Sequence, residues 1–444
     1  MATLLRALRT MGYKLGFAAL AFLNTTVITR YLSVSDKGVY TALTIALLFL
    51  STYVGGFGTF FNYGLNRLKH DRAAVVGVLA RLFLIALTVN LILFAAALAL
   101  TPVIGDSPYA AFVLGSIPFV VFYGYASRLI QALNEIDWLN RLNMIQPGLL
   151  FAFALAIDLL DHLRVDAVTA RLLPLTLAAW LLSNVLAAAA VYIAARRLAG
   201  VPFRPRRDAA IAKALWHYGH NVSLQNVLTQ FNLRGDYYCV LFLLTTTAAG
   251  HYSIAIVGSE VLWNVSNSVS LMVYTRVAHH ERAGSIALTE RTFRLNFWLM
   301  VACGLFLAGV FSPLIPVVFT NRYTASVPAF QLLVIGATAY GAVGVLTQFF
   351  TDQLGKVKYP MYMQGASFAL NILLCLILIP HWGIEGAALG SSAGYTLCLT
   401  ASIFYYRRNT GRPFRNLFWF TPDDRALLHS LLTRGRGGLN ESRE

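Results

Sequence analysis

Charge is what this chain has least of. Asp, Glu, Lys and Arg make up 12% of its 444 residues, against roughly 25% in an average soluble domain. A surface with so few charges could not face water, which excludes a soluble enzyme. With 57% hydrophobic residues, a disordered chain is excluded too. Cysteine is also scarce. The four present, Cys239, Cys303, Cys375 and Cys398, lie singly in apolar runs with no CxxC or metal-ligand spacing. They read as small buried side chains, and a secreted disulfide scaffold falls away. The third shortage is of acid: 19 Asp and Glu stand against 35 Lys and Arg, for a net charge of +16. That excess suits nucleic acid or a membrane surface, and the positions of the cations decide between them.

What the chain does have is long apolar runs. A helix crosses a bilayer core with about 20 predominantly apolar residues. By that measure the sequence predicts twelve spans, at 12–30, 38–62, 73–101, 108–132, 141–160, 172–195, 214–244, 248–272, 292–319, 326–350, 361–380 and 384–406. Hydrocarbon offers backbone amides no partner, so runs of this length should be helices. The expected fold class is all-α, a polytopic membrane protein of about 12 transmembrane helices. The basic N-terminus leads into a span carrying Asn24, Thr25 and Thr26 without a small-residue cleavage site, and reads as a retained helix. With the N-terminus in the cytoplasm, 28 of the 35 cations fall on the cytoplasmic side. Five (Arg30, Lys37, Arg164, Arg171, Arg322) fall opposite, and Arg81 and Arg234 lie inside spans. This asymmetry places both termini in the cytoplasm. Attraction to anionic lipid then accounts for the basicity, and no nucleic acid is expected.

The longest cytoplasmic connection, RRLAGVPFRPRRDAAIAK at 196–213, separates spans 6 and 7. It divides the chain into an N-terminal lobe (1–200), a linker (201–213), a C-terminal lobe (214–408) and a basic tail (409–444). The tail opens on an interfacial-looking FRNLFWF at 414–420 and ends in a polar stretch expected to be disordered. The halves repeat one another. LSVSDKGVYTAL at 32–43 aligns without a gap on LTTTAAGHYSIA at 244–255, so that Ser33 meets Thr245, Gly38 meets Gly250 and Tyr40 meets Tyr252. Each copy joins the first two spans of its half. A parallel repeat of two pseudo-symmetric six-helix lobes is a transporter's architecture, with the substrate path between the lobes.

The same segments carry a family likeness. Arg30-Tyr-Leu-Ser-Val-Ser-Asp-Lys-Gly-Val-Tyr40 resembles the R-x-L-S-x-x-x-x-G-x-Y start of Wzx-type polysaccharide (O-antigen) flippases. These belong to the multidrug/oligosaccharidyl-lipid/polysaccharide exporter superfamily. Arg234-Gly-Asp236, Gly250-His-Tyr252 and Glu260 are similar to its R-x-D … G-x-Y … E pattern, and Trp382-Gly-Ile-Glu-Gly-Ala-Ala388 to its G-I-x-G-A-A motif. The likeness covers spans 1–2, 7–8 and 11–12. It implies a V-shaped pair of lobes, as in multidrug and toxin extrusion (MATE) proteins, in the bacterial inner membrane. It further implies alternating-access translocation of an undecaprenyl-diphosphate-linked oligosaccharide, a repeat unit of O-antigen, capsule or exopolysaccharide. Membrane lipids, a polysaccharide polymerase and a chain-length regulator are the implied partners.

Several residues could serve such a cargo. Ser223, Asn226, Gln230 and Arg234 are spaced to share one face of span 7, and span 8 repeats the device with Glu260, Asn264 and Asn267. Polar stripes facing lipid are costly, so these faces should line a wet cavity or bond neighbouring helices. Guanidinium offers a fork matched to phosphate oxygens. Arg30, Arg81, Arg128 and Arg234 are therefore candidate cargo contacts; Arg81 is the deepest, about eight residues into span 3, whereas the other three lie nearer span ends, where snorkelling is the alternative. Asp236 and Glu260 are candidate ion-coupling carboxylates or structural partners of arginine. His217 and His220 lack a third ligand, and neither a metal nor a cofactor is expected. No catalytic residue is assigned, and a transporter rather than an enzyme is expected. Two rivals stand. A multidrug/cation antiporter of the same superfamily would need buried carboxylates, which the first half lacks. A membrane polysaccharide polymerase or glycosyltransferase would find only Asp158, Asp161, His162 and Asp166, in one short loop.

Overall fold

The computed structural model describes residues 2–104, 108–277, 282–354, 356, 358–422 and 424. Nearly all of them are helical, and none is in a strand. The first half comprises α1 (Ala2–Tyr31), α2 (Val34–Gly56), α3 (Arg72–Ile104), α4 (Pro108–Ala132), α5 (Ile145–His162) and α6 (Leu172–Ala199). The second begins with α7 (Ala209–Leu243), α8 (Thr246–Val277), α9 (Arg282–Phe306) and α10 (Ser326–Gln348). It closes with the long helical stretch Lys358–Thr410, which is interrupted at Gly383 (φ 56°, ψ −135°). An L side chain is strained in that left-handed region, so glycine marks the reversal. The stretch folds back on itself there: a Cβ at Gly390 would lie 3.1 Å from Cys375 Sγ, and one at Gly394 would lie 2.8 Å from the Ser367 carbonyl. It therefore makes two passages, α11 (358–382) and α12 (384–410), and the observed helices answer to the twelve runs of the sequence.

Eight helical segments among the described residues are long and apolar enough to cross a bilayer, the last of them being this hairpin. Those not among the eight are α1, α7 and α8. Their polarity has a structural reason. Asn24 of α1 is buried and donates to the Pro147 carbonyl at 3.0 Å, α7 packs along α2 and the α11–α12 hairpin, and α8 lies between α2 and α10. Polar side chains in these helices meet protein, where lipid would leave them unsatisfied.

Helix direction alternates, so the bundle has two distinct ends. At the end carrying the arginine-rich connection 201–208, Arg9 pairs with Asp137 at 3.6 Å and Arg72 donates to the Ala199 carbonyl at 3.0 Å. This is the basic end. At the opposite end the two copies of the repeat start their helices in the same way. Ser33 Oγ accepts from the Asp36 N–H at 3.0 Å and caps α2, while Thr245 Oγ1 accepts from the Ala248 N–H at 3.1 Å and caps α8. The copies also touch. Ser35 and Thr246 share a hydroxyl hydrogen bond of 2.7 Å, and a Cβ on Gly38 would collide with the Thr246 carbonyl oxygen.

The FRNLFWF stretch of the tail is docked on the helical bundle. It forms a short helix, Arg415–Phe418, seated on α9, with Leu417 buried, Phe418 packed edge-on against Phe293 and Phe297, and the Trp298 indole donating to the Phe418 carbonyl at 2.8 Å. Arg294 and Arg291 grip Asp424 at 2.8 and 3.3 Å. The polar end beyond it lies outside the described residues.

Candidate functional site

The middle of the second half holds a polar network built on α7. Arg234 of α7 forms an ion pair with Glu260 of α8, each side chain about a quarter exposed. Two residues on, Asp236 points to the other side of α7, as a helix requires, and is 1% exposed. Its Oδ2 accepts from the Tyr252 and Ser391 hydroxyls, both at 2.5 Å, and its Oδ1 from the Tyr237 N–H at 2.8 Å. Glu260 thus pairs with Arg234, while Asp236 is held by Tyr252, Ser391 and the Tyr237 amide.

The network continues into the hairpin. Asn232 donates to Gln364 at 2.7 Å and accepts from Ser367 at 3.0 Å; Gln364 in turn donates to the Tyr340 hydroxyl at 2.7 Å. Ser391 and Cys375 also lie within 3.3 and 3.2 Å of Asn371 Oδ1. Tyr340, Tyr395 and Trp263 form an aromatic cluster beside it, with ring centroids 4.9 to 5.9 Å apart. Asn232, Gln364, Asn371 and Ser391 were not candidates from the sequence. Polarity within otherwise apolar spans was their available signal. Convergence on one point needs the reversal at Gly383 and the crossing of α7, neither of which has a periodicity.

The polar stripe of α7 divides. Ser223 is buried with Gly56 of α2 pressed against it, so it serves helix packing. Asn226 and Gln230 are half-buried and make no hydrogen bond to a described residue. The Asn264 side chain lies outside those described. Among the arginines, Arg30 is exposed at the end of α1, and Arg128 is exposed with its Nη1 on Gln131 at 3.1 Å. Arg81 is half-buried and lines a cleft of about 250 Å³ between α3, the 201–208 connection and the start of α7, at the basic end. Among the described residues no three His, Cys, Asp or Glu side chains converge as a metal site.

No family model matches the chain. An uncharacterized membrane protein, MJ1068 of Methanocaldococcus jannaschii, is 25% identical over 134 residues, which is 29% of this chain. The matched stretch spans 25% of that relative's length. Solved structures match far more of the fold. The lipid II flippase MurJ in an inward closed conformation superposes with a TM-score of 0.74 at 13% identity, covering 92% of this chain and 89% of its own. An inward-facing multidrug resistance MATE family transporter of the MOP superfamily gives 0.67 at 11% identity, covering 90% and 98%. A MOP superfamily transporter from Pyrococcus furiosus, whose reversed binding-pocket polarity suggests a different function, gives 0.60 at 12%, covering 91% and 94%. The chain is a multi-pass membrane protein with the all-α, two-lobed fold of MOP superfamily transporters.

Proposed function

We propose that this protein is a flippase that moves a polyprenyl-diphosphate-linked oligosaccharide across the bacterial inner membrane by alternating access. The observation that carries the proposal is the state of the two carboxylates in the α7–α8 region. Glu260 is neutralised by Arg234, and Asp236 is already bonded to two hydroxyls and an amide. A pocket for cationic drugs needs free carboxylate, whereas an anionic cargo needs free guanidinium, and Arg81 has no carboxylate partner among the described residues. The likeness in fold to a lipid II flippase supports the same reading.

The basic end faces the cytoplasm in this proposal. The 1–200 and 214–408 lobes rock about their contact, and the 201–213 linker spans them. Arg81 meets the diphosphate and Asn226, Gln230 and Asn264 line the sugar path. Asp236 and Glu260, held by protein partners in this conformation, couple transport to a small cation by exchanging those partners for it when the lobes rock. Arg30 and Arg128 are given the lesser role of reaching headgroups from helix ends. The chemistry is non-covalent throughout. The released repeat unit passes to a polymerase under a chain-length regulator.

Reconstituted liposomes test this. A fluorescent undecaprenyl-diphosphate oligosaccharide is supplied inside, and an external sugar-modifying enzyme reports exposure. Protein-dependent exposure is expected. Efflux of cationic dyes without sugar exposure would instead assign the chain to the drug-antiporter branch.

A further inference from the structure

We propose that the cleft between α3 and the start of α7 captures the diphosphate headgroup of a prenyl lipid arriving from the bilayer; the identity of that lipid rests on the flippase reading above. The cleft brings two guanidiniums from different elements into one space of about 250 Å³, Arg81 of α3 and Arg206 of the connection between the halves. Their convergence is built. The Arg206 N–H donates to the Gly77 carbonyl at 3.0 Å, and its side-chain stem lies where a Cβ on Gly77 would be, 2.7 Å from Cγ. Gly77 and Arg81 are four residues apart and share one face of α3. The missing side chain at Gly77 is therefore what lets the connection lie down beside Arg81.

Neither guanidinium is within ion-pair distance of a carboxylate among the described residues. Asp208, the acidic residue of the cleft, caps α7: its Oδ1 accepts the Ile211 N–H at 3.0 Å. With Asp208 counted, the lining carries a net charge of +1, so the match lies in geometry: two guanidinium forks without an ion-pair partner suit two linked phosphoryl groups, as in a diphosphate, whereas a phosphodiester fills one fork. The surroundings favour a lipid over free diphosphate. Trp216, 59% exposed and stacked on Phe57 at 5.8 Å, walls the cleft as an aromatic residue at headgroup level does. From Arg81 the face of α3 continues through Ile85, Val89 and Ile92, exposed by 52, 52 and 62%. These follow at spacings of four, four and three, which makes a continuous apolar strip leading from the guanidinium into the bilayer, along which a prenyl chain can lie.

The test uses the full chain in nanodiscs of phosphatidylcholine, titrated with geranylgeranyl diphosphate and read by native mass spectrometry. Saturable binding is expected, weakened tenfold or more by Arg206→Ala and by Arg81→Ala, and partly kept by Arg81→Lys. Arg206 is exposed, so its variant does not put folding at risk. Unchanged binding in both alanine variants overturns the proposal. So does inorganic diphosphate binding as tightly as the prenyl diphosphate, or equal displacement by phosphatidylglycerol, which would make the cleft a general anionic-lipid contact. The translocation assay separates this proposal from the flippase reading. Wild-type binding without translocation removes the flippase and leaves the capture site. Normal translocation in an Arg81→Ala/Arg206→Ala double variant removes the capture site and leaves the flippase.

Discussion

Gly38 and Gly250, equivalent residues of the two repeat copies, pack against each other where α2 crosses α8. A Cβ on Gly38 would stand 3.0 Å from the Gly250 nitrogen and collide with the Thr246 carbonyl, and a Cβ on Gly250 would collide with the Val34 carbonyl. The Tyr237 hydroxyl donates to the Gly38 carbonyl at 2.6 Å in the same contact. The repeat seen in the sequence is thus the seam that holds the halves together at the end opposite the basic one.

Gly38→Ala and Gly250→Ala should each push that end apart, because backbone and not a flexible side chain occupies the space. Spin labels at Val165 and Arg322, on loops of the two halves at that end, should report longer distances in either variant than in the wild type. An unchanged distance distribution would show that the glycine contact does not govern closure. Under the flippase reading, translocation should fall in both variants.

Glu260→Gln should destabilise the protein by leaving Arg234 without its counter-charge. Removing one partner of a fully buried pair costs about 3–5 kcal/mol. The partial exposure of both side chains reduces the expectation to about 1–3 kcal/mol. Thermal unfolding in detergent measures it. Replacing both Arg234 and Glu260 by Met should restore most of the stability. Restored stability without restored transport would mark the pair as more than structural.

Asp236→Ala should cost more than Asp236→Asn. The alanine strands the buried Tyr252 hydroxyl and leaves Ser391 only its longer bond to Asn371 Oδ1 at 3.3 Å; each lost hydrogen bond to a charged group is worth about 1.5–3 kcal/mol. The asparagine keeps an acceptor in place but cannot carry charge. If Asp236 couples transport to a cation, Asp236→Asn should remain folded yet lose the dependence of translocation on sodium or pH. Retention of that dependence assigns coupling elsewhere.

Docking of the tail on α9 should depend on pH through Asp424. Burial pushes its carboxyl up, but the Thr421 N–H and hydroxyl and the Arg294 guanidinium outweigh burial and hold it below the usual carboxylate range. A carboxyl with a depressed folded-state pKa contributes stability above its unfolded value, and that contribution is lost as pH falls through the folded value. The tail should therefore stay docked at neutral pH and release only below about pH 4. Limited proteolysis after residue 410 reads this out. Asp424→Asn should show cleavage already at pH 7.

The span pattern was legible because it is local. Hydropathy summed over about 20 residues does not depend on what packs where, so twelve runs, the break near Gly383 and the halves could be read from order alone. The fate of individual polar side chains could not. Span 7 offered Ser223, Asn226, Gln230 and Arg234 as one stripe; the fold gives Ser223 to α2 and Arg234 to Glu260, leaving Asn226 and Gln230 half-buried. The tail is another case. FRNLFWF has the composition of a membrane-surface segment, and only the position of Phe293, Phe297 and Arg294 on α9 turns it into a docked strap.

By itself, then, the sequence determined that the chain is a helical membrane protein with a duplicated plan, since apolar length and repetition are properties of the chain read in order. Tertiary structure alone decided which charges are free. Arg234 and Arg81 both fall inside spans, and the sequence offers both as cargo contacts. One finds a glutamate across a helix interface, while the other meets a second arginine brought down beside Gly77. A charge is neutralised by whatever lies within a few ångströms of it, and that is set by crossings between helices far apart in the chain.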